Sequence, residues 1–213
     1  MCAKCLCYIR YLPSDRSKSD DAPCLSGKLC KRLEKLRYYD DYVKNGSYQK
    51  NDVFTWFGEP FTELAGKTWG IIGLGAIGRK VADIAKAFGA HVIYYSASGR
   101  PVQEGYEQVD LNTLLRTSDV ISVHAPLNEY TENLMDKAAF AKMKRSAIFL
   151  NLGRGPIVVE EDLAEALKQG TIAAAGVDVL RTEPIQPDNP LHGQGRSASG
   201  GCGLRCLPRR YVA

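Results

Sequence analysis

The 213 residues predict an α/β fold, a doubly wound parallel sheet with helices on both faces. Three observations carry that prediction. From Lys67 to Leu180, short apolar runs alternate with amphipathic segments, and Gly-rich or polar turns separate them. The runs are continuously apolar rather than alternating, as strands buried on both faces are. Each run is followed by enough chain for the crossover that a parallel pair needs.

The elements follow in order. Residues 28–45, KLCKRLEKLRYYDDYVKN, place Leu29, Leu33, Leu36, Tyr39 and Val43 at helical spacing and stop at Asn45-Gly46, a helix exit. Residues 47–67 form an irregular aromatic arm with breakers at Gly58-Glu59-Pro60 and Gly66. WGIIG, residues 69–73, is the first strand. Residues 76–88 are a helix with Ile77, Val81, Ile84, Ala85 and Phe88 on its apolar face, ended by Gly89. HVIYY (91–95) is the second strand and LNTLLRT (111–117) a short helix. DVISVHA (119–125) is the third strand, followed by the helix DKAAFAKM (136–143). AIFLNL (147–152) is the fourth strand, EEDLAEALKQ (160–169) a helix ended by Gly170, and AAAGVDVL (173–180) the fifth strand.

Gly73-Leu74-Gly75-Ala76-Ile77-Gly78 is G-x-G-x-x-G set between a strand and a helix. Gly73 permits a tight turn, Gly75 lets backbone approach a pyrophosphate, and Gly78 lets helix and sheet pack closely. The helix N-terminus adds free N–H groups and partial positive charge. This is the phosphate loop of a Rossmann dinucleotide-binding domain. A carboxylate is expected about 20 residues on to bind the adenosine ribose. Tyr95-Ser96-Ala97-Ser98-Gly99-Arg100 offers hydroxyls and a guanidinium instead, so Ser96 and Arg100 make NADP at least as plausible as NAD. Arg100 is equally well read as a solvated loop charge.

Beyond the fourth strand, N-L-G-R-G-P-I-V-V places Arg154 where ligands of open α/β sheets bind, and a guanidinium there can grip a carboxylate. The fifth strand delivers Asp178, and the next loop delivers Glu183 before Pro184.

Net charge is +4, but its distribution is uneven. Residues 1–50 carry 11 Lys/Arg against 6 Asp/Glu, residues 193–213 carry 4 against none, and residues 51–192 carry 13 against 18. The basic excess lies in two flanks and forms no stripe on an element, so no nucleic-acid partner is expected. No apolar run suits a membrane span, and the N-terminus lacks a signal peptide's apolar core, so a cytoplasmic protein is expected. All seven cysteines lie in the flanks: Cys2, Cys5, Cys7, Cys24, Cys30, Cys202 and Cys206. The first three could ligate zinc at C-x2-C spacing, with Cys202 and Cys206 completing a site. The plainer reading is a flank composition unrelated to the core, with no metal expected.

The LAGKTWGIIGLGAIGRKVA fingerprint, VHAPLNEYTENLM, NLGRGPIVVEEDL and GVDVLRTEP occur in one order. Over roughly residues 33–192 the chain resembles the D-isomer-specific 2-hydroxyacid dehydrogenases. The arm around DVFTWF is most similar to their glycerate dehydrogenase, or hydroxypyruvate reductase, branch. The resemblance implies hydride transfer between NAD(P)H and a small 2-oxo acid such as hydroxypyruvate. It implies that Arg154 binds the substrate and that Glu183 holds a catalytic histidine. Asp178 would sit near the nicotinamide, with His124, Ala125, Pro126 and Thr131 along the cofactor beside Gly73, Gly75, Ala76, Ile77 and Gly78. A homodimer built through the arm is also implied.

The family's histidine lies in a Pro-His-Ile-Ala type segment that nothing here matches. His91 opens a strand, His124 belongs to the cofactor segment, and His192 follows Glu183 by nine residues in a different motif. The expected organisation is therefore an unmatched flank (1–27), an inter-domain helix and dimerisation arm (28–66), a dinucleotide-binding domain (67–192) and an unmatched tail (193–213), with the substrate domain largely missing. Truncation or frame damage at both ends is the simplest explanation of the flanks. Impaired turnover is expected, and the alternative is a non-catalytic dinucleotide-binding or dimerisation module.

Overall fold

The computed structural model describes residues 36–55, 58, 62–98 and 105–192. The chain divides into two compact units, Met1–Glu63 and Leu64–Ala213. All seven cysteines, Arg100, and Trp56, Phe57 and Phe61 of the arm lie outside the described residues.

In the first unit, helix α1 spans Leu36–Lys44 and a 3₁₀ turn spans Tyr48–Lys50. Tyr38 and Tyr39 stack edge to face at 5.1 Å. The expected exit is observed: Gly46 takes φ +78°, a region open to glycine, and the Asn45 side chain accepts the Ser47 N–H at 2.9 Å. Residues 28–35 of the expected helix are outside the described set.

The second unit holds a six-stranded sheet. Its elements are β1 (Thr68–Ile72), α2 (Ala76–Ala87), β2 (His91–Tyr95), β3 (Glu107–Gln108), α3 (Leu111–Thr117), β4 (Val120–Val123), α4 (Lys137–Lys142), β5 (Ile148–Asn151), α5 (Glu160–Lys168) and β6 (Ala174–Val177). Strand order is β3-β2-β1-β4-β5-β6 and every pair is parallel. The order reverses beside β1, which creates the crevice where such sheets bind ligands.

Five of these strands match the apolar runs; β3 corrects the expected count. It is two exposed polar residues, paired with Ile93 and Tyr94, so no hydrophobic pattern announces it. His91 Nε2 lies 3.4 Å from the Glu107 carboxylate at this edge, which places His91 on the sheet rim.

Helices cover both faces, as two adjacent residues of β1 demonstrate. A β-carbon at Gly70 would meet Ser118 Oγ at 2.3 Å and Leu114 at 2.8 Å, so the end of α3 presses on that face. One built at Gly78 would meet Ile71 at 3.4 Å, so α2 presses on the other. Neighbouring strand residues point to opposite faces, hence the double winding. Ile71, Ile72, Ile121, Phe149 and Leu150 are completely or almost completely buried between the layers. Phe140 of α4 meets Phe149 edge to face at 5.3 Å. At the opposite end of the sheet from the crevice, Asp119 accepts the Thr68 N–H at 2.9 Å and pairs with Lys144 at 2.9 Å. Burial pulls its carboxyl up, but these two partners outweigh that and hold it below its usual value.

Candidate cofactor and substrate site

Four loops leave the C-terminal ends of β1, β4, β5 and β6, and glycines bring them into contact. Gly73 ends β1 with φ +94°, and a β-carbon there would stand 2.7 Å from the Ala125 backbone. Gly153 abuts the Ala125 carbonyl, where a β-carbon would be 3.0 Å away. Gly155 abuts Leu180, whose carbonyl oxygen would be 1.9 Å from such an atom. The phosphate loop, the His124-Ala125-Pro126 segment, the Arg154 loop and the loop after β6 therefore form a continuous row.

The phosphate loop fits a dinucleotide. Gly75 is the N-cap of α2 with no side-chain cap, and a β-carbon there would project into open space. That space is what a phosphate needs, next to helix N–H groups that lack intrahelical acceptors. Gly78 is different in kind: its β-carbon would strike the Gly73 carbonyl at 2.3 Å, so it serves packing. Ala76 and Ile77 form the first turn of the helix.

At the outer end of the crevice a cavity of about 630 Å³ is lined by Tyr95, Ser96, Ala97, Gln108, Val109 and Asp110. Ser96 lies on this wall with its hydroxyl 3.2 Å from that of Ser98. The strand end lacks an acid, as expected, yet a carboxylate does line the cavity. Asp110 supplies it from the start of α3, where it caps Thr113 N–H at 3.0 Å and holds the Thr113 hydroxyl. Those hydrogen bonds keep its pKa below the usual value. A sequence search confined to the residues after β2 misses it.

His124 follows β4, and its Nε2 lies 3.1 Å from the hydroxyl of Ser122. Burial pushes its pKa down to about 4. Thr131 is buried, and its hydroxyl closes its own loop by donating to the Pro126 carbonyl at 2.7 Å and accepting the Asn128 N–H at 2.9 Å. Pro126 is exposed beside the buried Ala125.

Arg154 is exposed, and its guanidinium reaches back to the Gly153 carbonyl at 2.8 Å. Buried Asn151 builds this turn by accepting the Gly153 N–H at 3.2 Å and donating to the Arg154 carbonyl at 3.1 Å. Asp178 directly follows β6 and is half-buried. Glu183 is exposed and accepts the Leu180 N–H at 3.0 Å, which folds its loop back on itself. Glu160, buried at the start of α5, clamps the same loop: it accepts the Arg181 N–H at 2.6 Å and the Asn189 amide at 2.6 Å. His192 is exposed at the end of the described chain. Among the described residues no three His, Cys, Asp or Glu side chains gather as a metal site, and no helix is long and apolar enough to cross a membrane.

Residues 27–197 match the family model described as D-isomer specific 2-hydroxyacid dehydrogenase, NAD binding domain. The chain belongs to that family. Among these dehydrogenases, a hydroxypyruvate reductase of Blautia hydrogenotrophica is 44% identical over 158 residues, covering 73% of this chain and 49% of that one. A glycerate dehydrogenase of Methylorubrum extorquens is 42% identical over 153 residues, covering 72% and 47%. A probable 2-hydroxyacid dehydrogenase of Rhizobium etli, solved with NADP, HEPES and L(+)-tartaric acid, superposes with a TM-score of 0.69 at 26% identity, covering 86% and 56%. The chain spans about half the length of the curated relatives it matches. The family's domain is an NAD(P)-binding α/β domain, as the phosphate loop and strand order indicate independently.

Proposed function

We propose that this chain is the dinucleotide-binding part of an NAD(P)-dependent reductase of small 2-oxo acids, with hydroxypyruvate and glyoxylate as the first candidates. One observation carries the reading: close backbone contacts run from Gly73 through Ala125 and Gly153 to Leu180, so the turn that carries Arg154 belongs to the same row of strand-end loops as the open N-terminus of α2 at Gly75. Relatives named hydroxypyruvate reductase and glyoxylate reductase support the substrate class.

Gly73, Gly75, Ala76 and Ile77 would hold the pyrophosphate through backbone N–H groups, with Gly78 seating the helix behind them. Ser96 and Arg100 would meet the adenosine end, and His124, Ala125, Pro126, Thr131 and Asp178 would shape the path toward the nicotinamide. A reduced nicotinamide held there would supply the hydride for a carbonyl carbon. Arg154 releases its backbone contact and grips the substrate carboxylate, orienting the carbonyl for attack. Glu183 would hold a proton-donating histidine and stabilise its charged form. Such a proton donor contributes a factor of about 10² to 10⁴ to the rate. The arm would dimerise the protein, which suits the exposure of Val53 and Phe54 in the first unit.

The test is hydroxypyruvate-dependent oxidation of NADPH and NADH by the purified chain and by Arg154→Gln. The expected result is turnover that falls at least tenfold in the variant, with cofactor affinity kept. Equal turnover in both removes Arg154 from the chemistry, and cofactor binding without any turnover favours the non-catalytic module.

A further inference from the structure

Behind the cofactor-side loop, a polar chain of three residues crosses the sheet. Trp69 Nε1 donates to Ser122 Oγ at 2.9 Å, and Ser122 Oγ lies 3.1 Å from His124 Nε2. Ser122 is completely buried and Trp69 nearly so, and His124 Nδ1 is buried with no partner. From this geometry we infer that Trp69 and Ser122 lock His124 as the neutral Nδ1–H tautomer, so that a ring donor rather than an acceptor backs the loop.

The number of unsatisfied buried groups decides the tautomer. An indole N–H only donates, so Ser122 accepts from Trp69 and keeps one hydrogen of its own. His124 Nε2 is the remaining partner within reach. With the proton on Nε2, Ser122 receives two donors, its own hydrogen has no acceptor inside a buried strand, and Nδ1 is left as a bare lone pair. With the proton on Nδ1, Ser122 donates to Nε2 and only the Nδ1–H remains open. One fewer buried orphan biases the tautomer by roughly tenfold or more. Protonating both nitrogens would bury a charge, and that burial lowers the pKa of His124.

The open Nδ1–H gives the chain a functional side: a donor held in one orientation next to Ala125, which abuts the phosphate loop at Gly73. Ser122 is thus a positioning residue, acting through His124. That consequence rests on the reading that residues 124–126 line the dinucleotide; the tautomer itself does not.

Long-range ¹H–¹⁵N spectra of the full chain, labelled at its histidines and assigned with His91→Gln and His192→Gln, read the tautomer directly at pH 7. The expected pattern is a protonated Nδ1 and an unprotonated Nε2 on His124. Ser122→Ala should mix the tautomers and weaken NADH binding roughly three- to tenfold, while Ser122→Thr restores both. A protonated Nε2 in the native chain overturns the inference, as does a Ser122→Ala spectrum identical to the native one. A native chain with the expected tautomer that fails to bind NADH supports the lock and refutes the cofactor reading.

Discussion

Gly155 lies so close to Leu180 that a β-carbon added to it would stand 1.9 Å from the Leu180 carbonyl oxygen. The contact joins the loop of Arg154 to the loop of Glu183, because Glu183 accepts the Leu180 N–H. Both sides are backbone, so no rotamer change can relieve an intruding methyl. Gly155→Ala should cost about 3 kcal/mol in urea unfolding. It should also reduce any turnover more than NADH affinity, since the phosphate loop is at the far end of the row. An unchanged midpoint would mean that the two loops are not held together.

Glu160 ties the segment after β6 to α5 from 21 and 29 residues away in sequence. Its replacement leaves the Arg181 N–H and the Asn189 amide without their acceptor. Glu160→Ala should lower stability by roughly 2 to 3 kcal/mol. Amide hydrogen exchange over residues 181–191 should accelerate while β1 and β4 stay protected. Uniform acceleration across the domain would point to a general core defect instead.

Protonation of His124 should make the fold acid-sensitive. Its pKa falls from 6.5 to about 4 on burial, so the unfolded chain takes up a proton at a pH where the folded chain does not. Stability contributed by the neutral ring is complete above pH 6.5 and is lost as pH falls toward 4. By pH 5 the loss is about 2 kcal/mol. Urea midpoints measured between pH 7 and pH 5 check this, and His124→Asn should flatten the slope.

Asp110 bears on the choice between NAD and NADP. It caps α3 and lines the cavity that Ser96 also lines. Asparagine caps helices as well as aspartate does, so Asp110→Asn removes charge and keeps the fold. NADPH affinity should rise about twofold relative to NADH, through relief of repulsion on a 2′-phosphate. No change in the ratio of dissociation constants would place that phosphate away from Asp110.

The sheet was readable because five strands are apolar runs buried on both faces, such as residues 120–123 of β4. The two residues of β3 were not, since their identity as a strand comes from pairing with Ile93 and Tyr94. The phosphate loop was readable because its glycines have fixed spacing. The supports were hidden, because they depend on distant partners: Ser122 meets Trp69 across 53 residues, and Gly70 is required only by Ser118 and Leu114. Asn151 and Glu160 look like ordinary polar residues until their partners are seen. Nor does the sequence show that the Thr131 hydroxyl is engaged in closing its own loop.

The most direct test of the central claim is calorimetric titration of the folded chain with NADH and with NADPH, its fold verified by circular dichroism. Saturable binding of at least one cofactor is expected, weakened at least tenfold by Gly75→Val, which would fill the open space over the helix N-terminus. A folded chain that binds neither, or a Gly75→Val chain that binds as well as the native one, would contradict it.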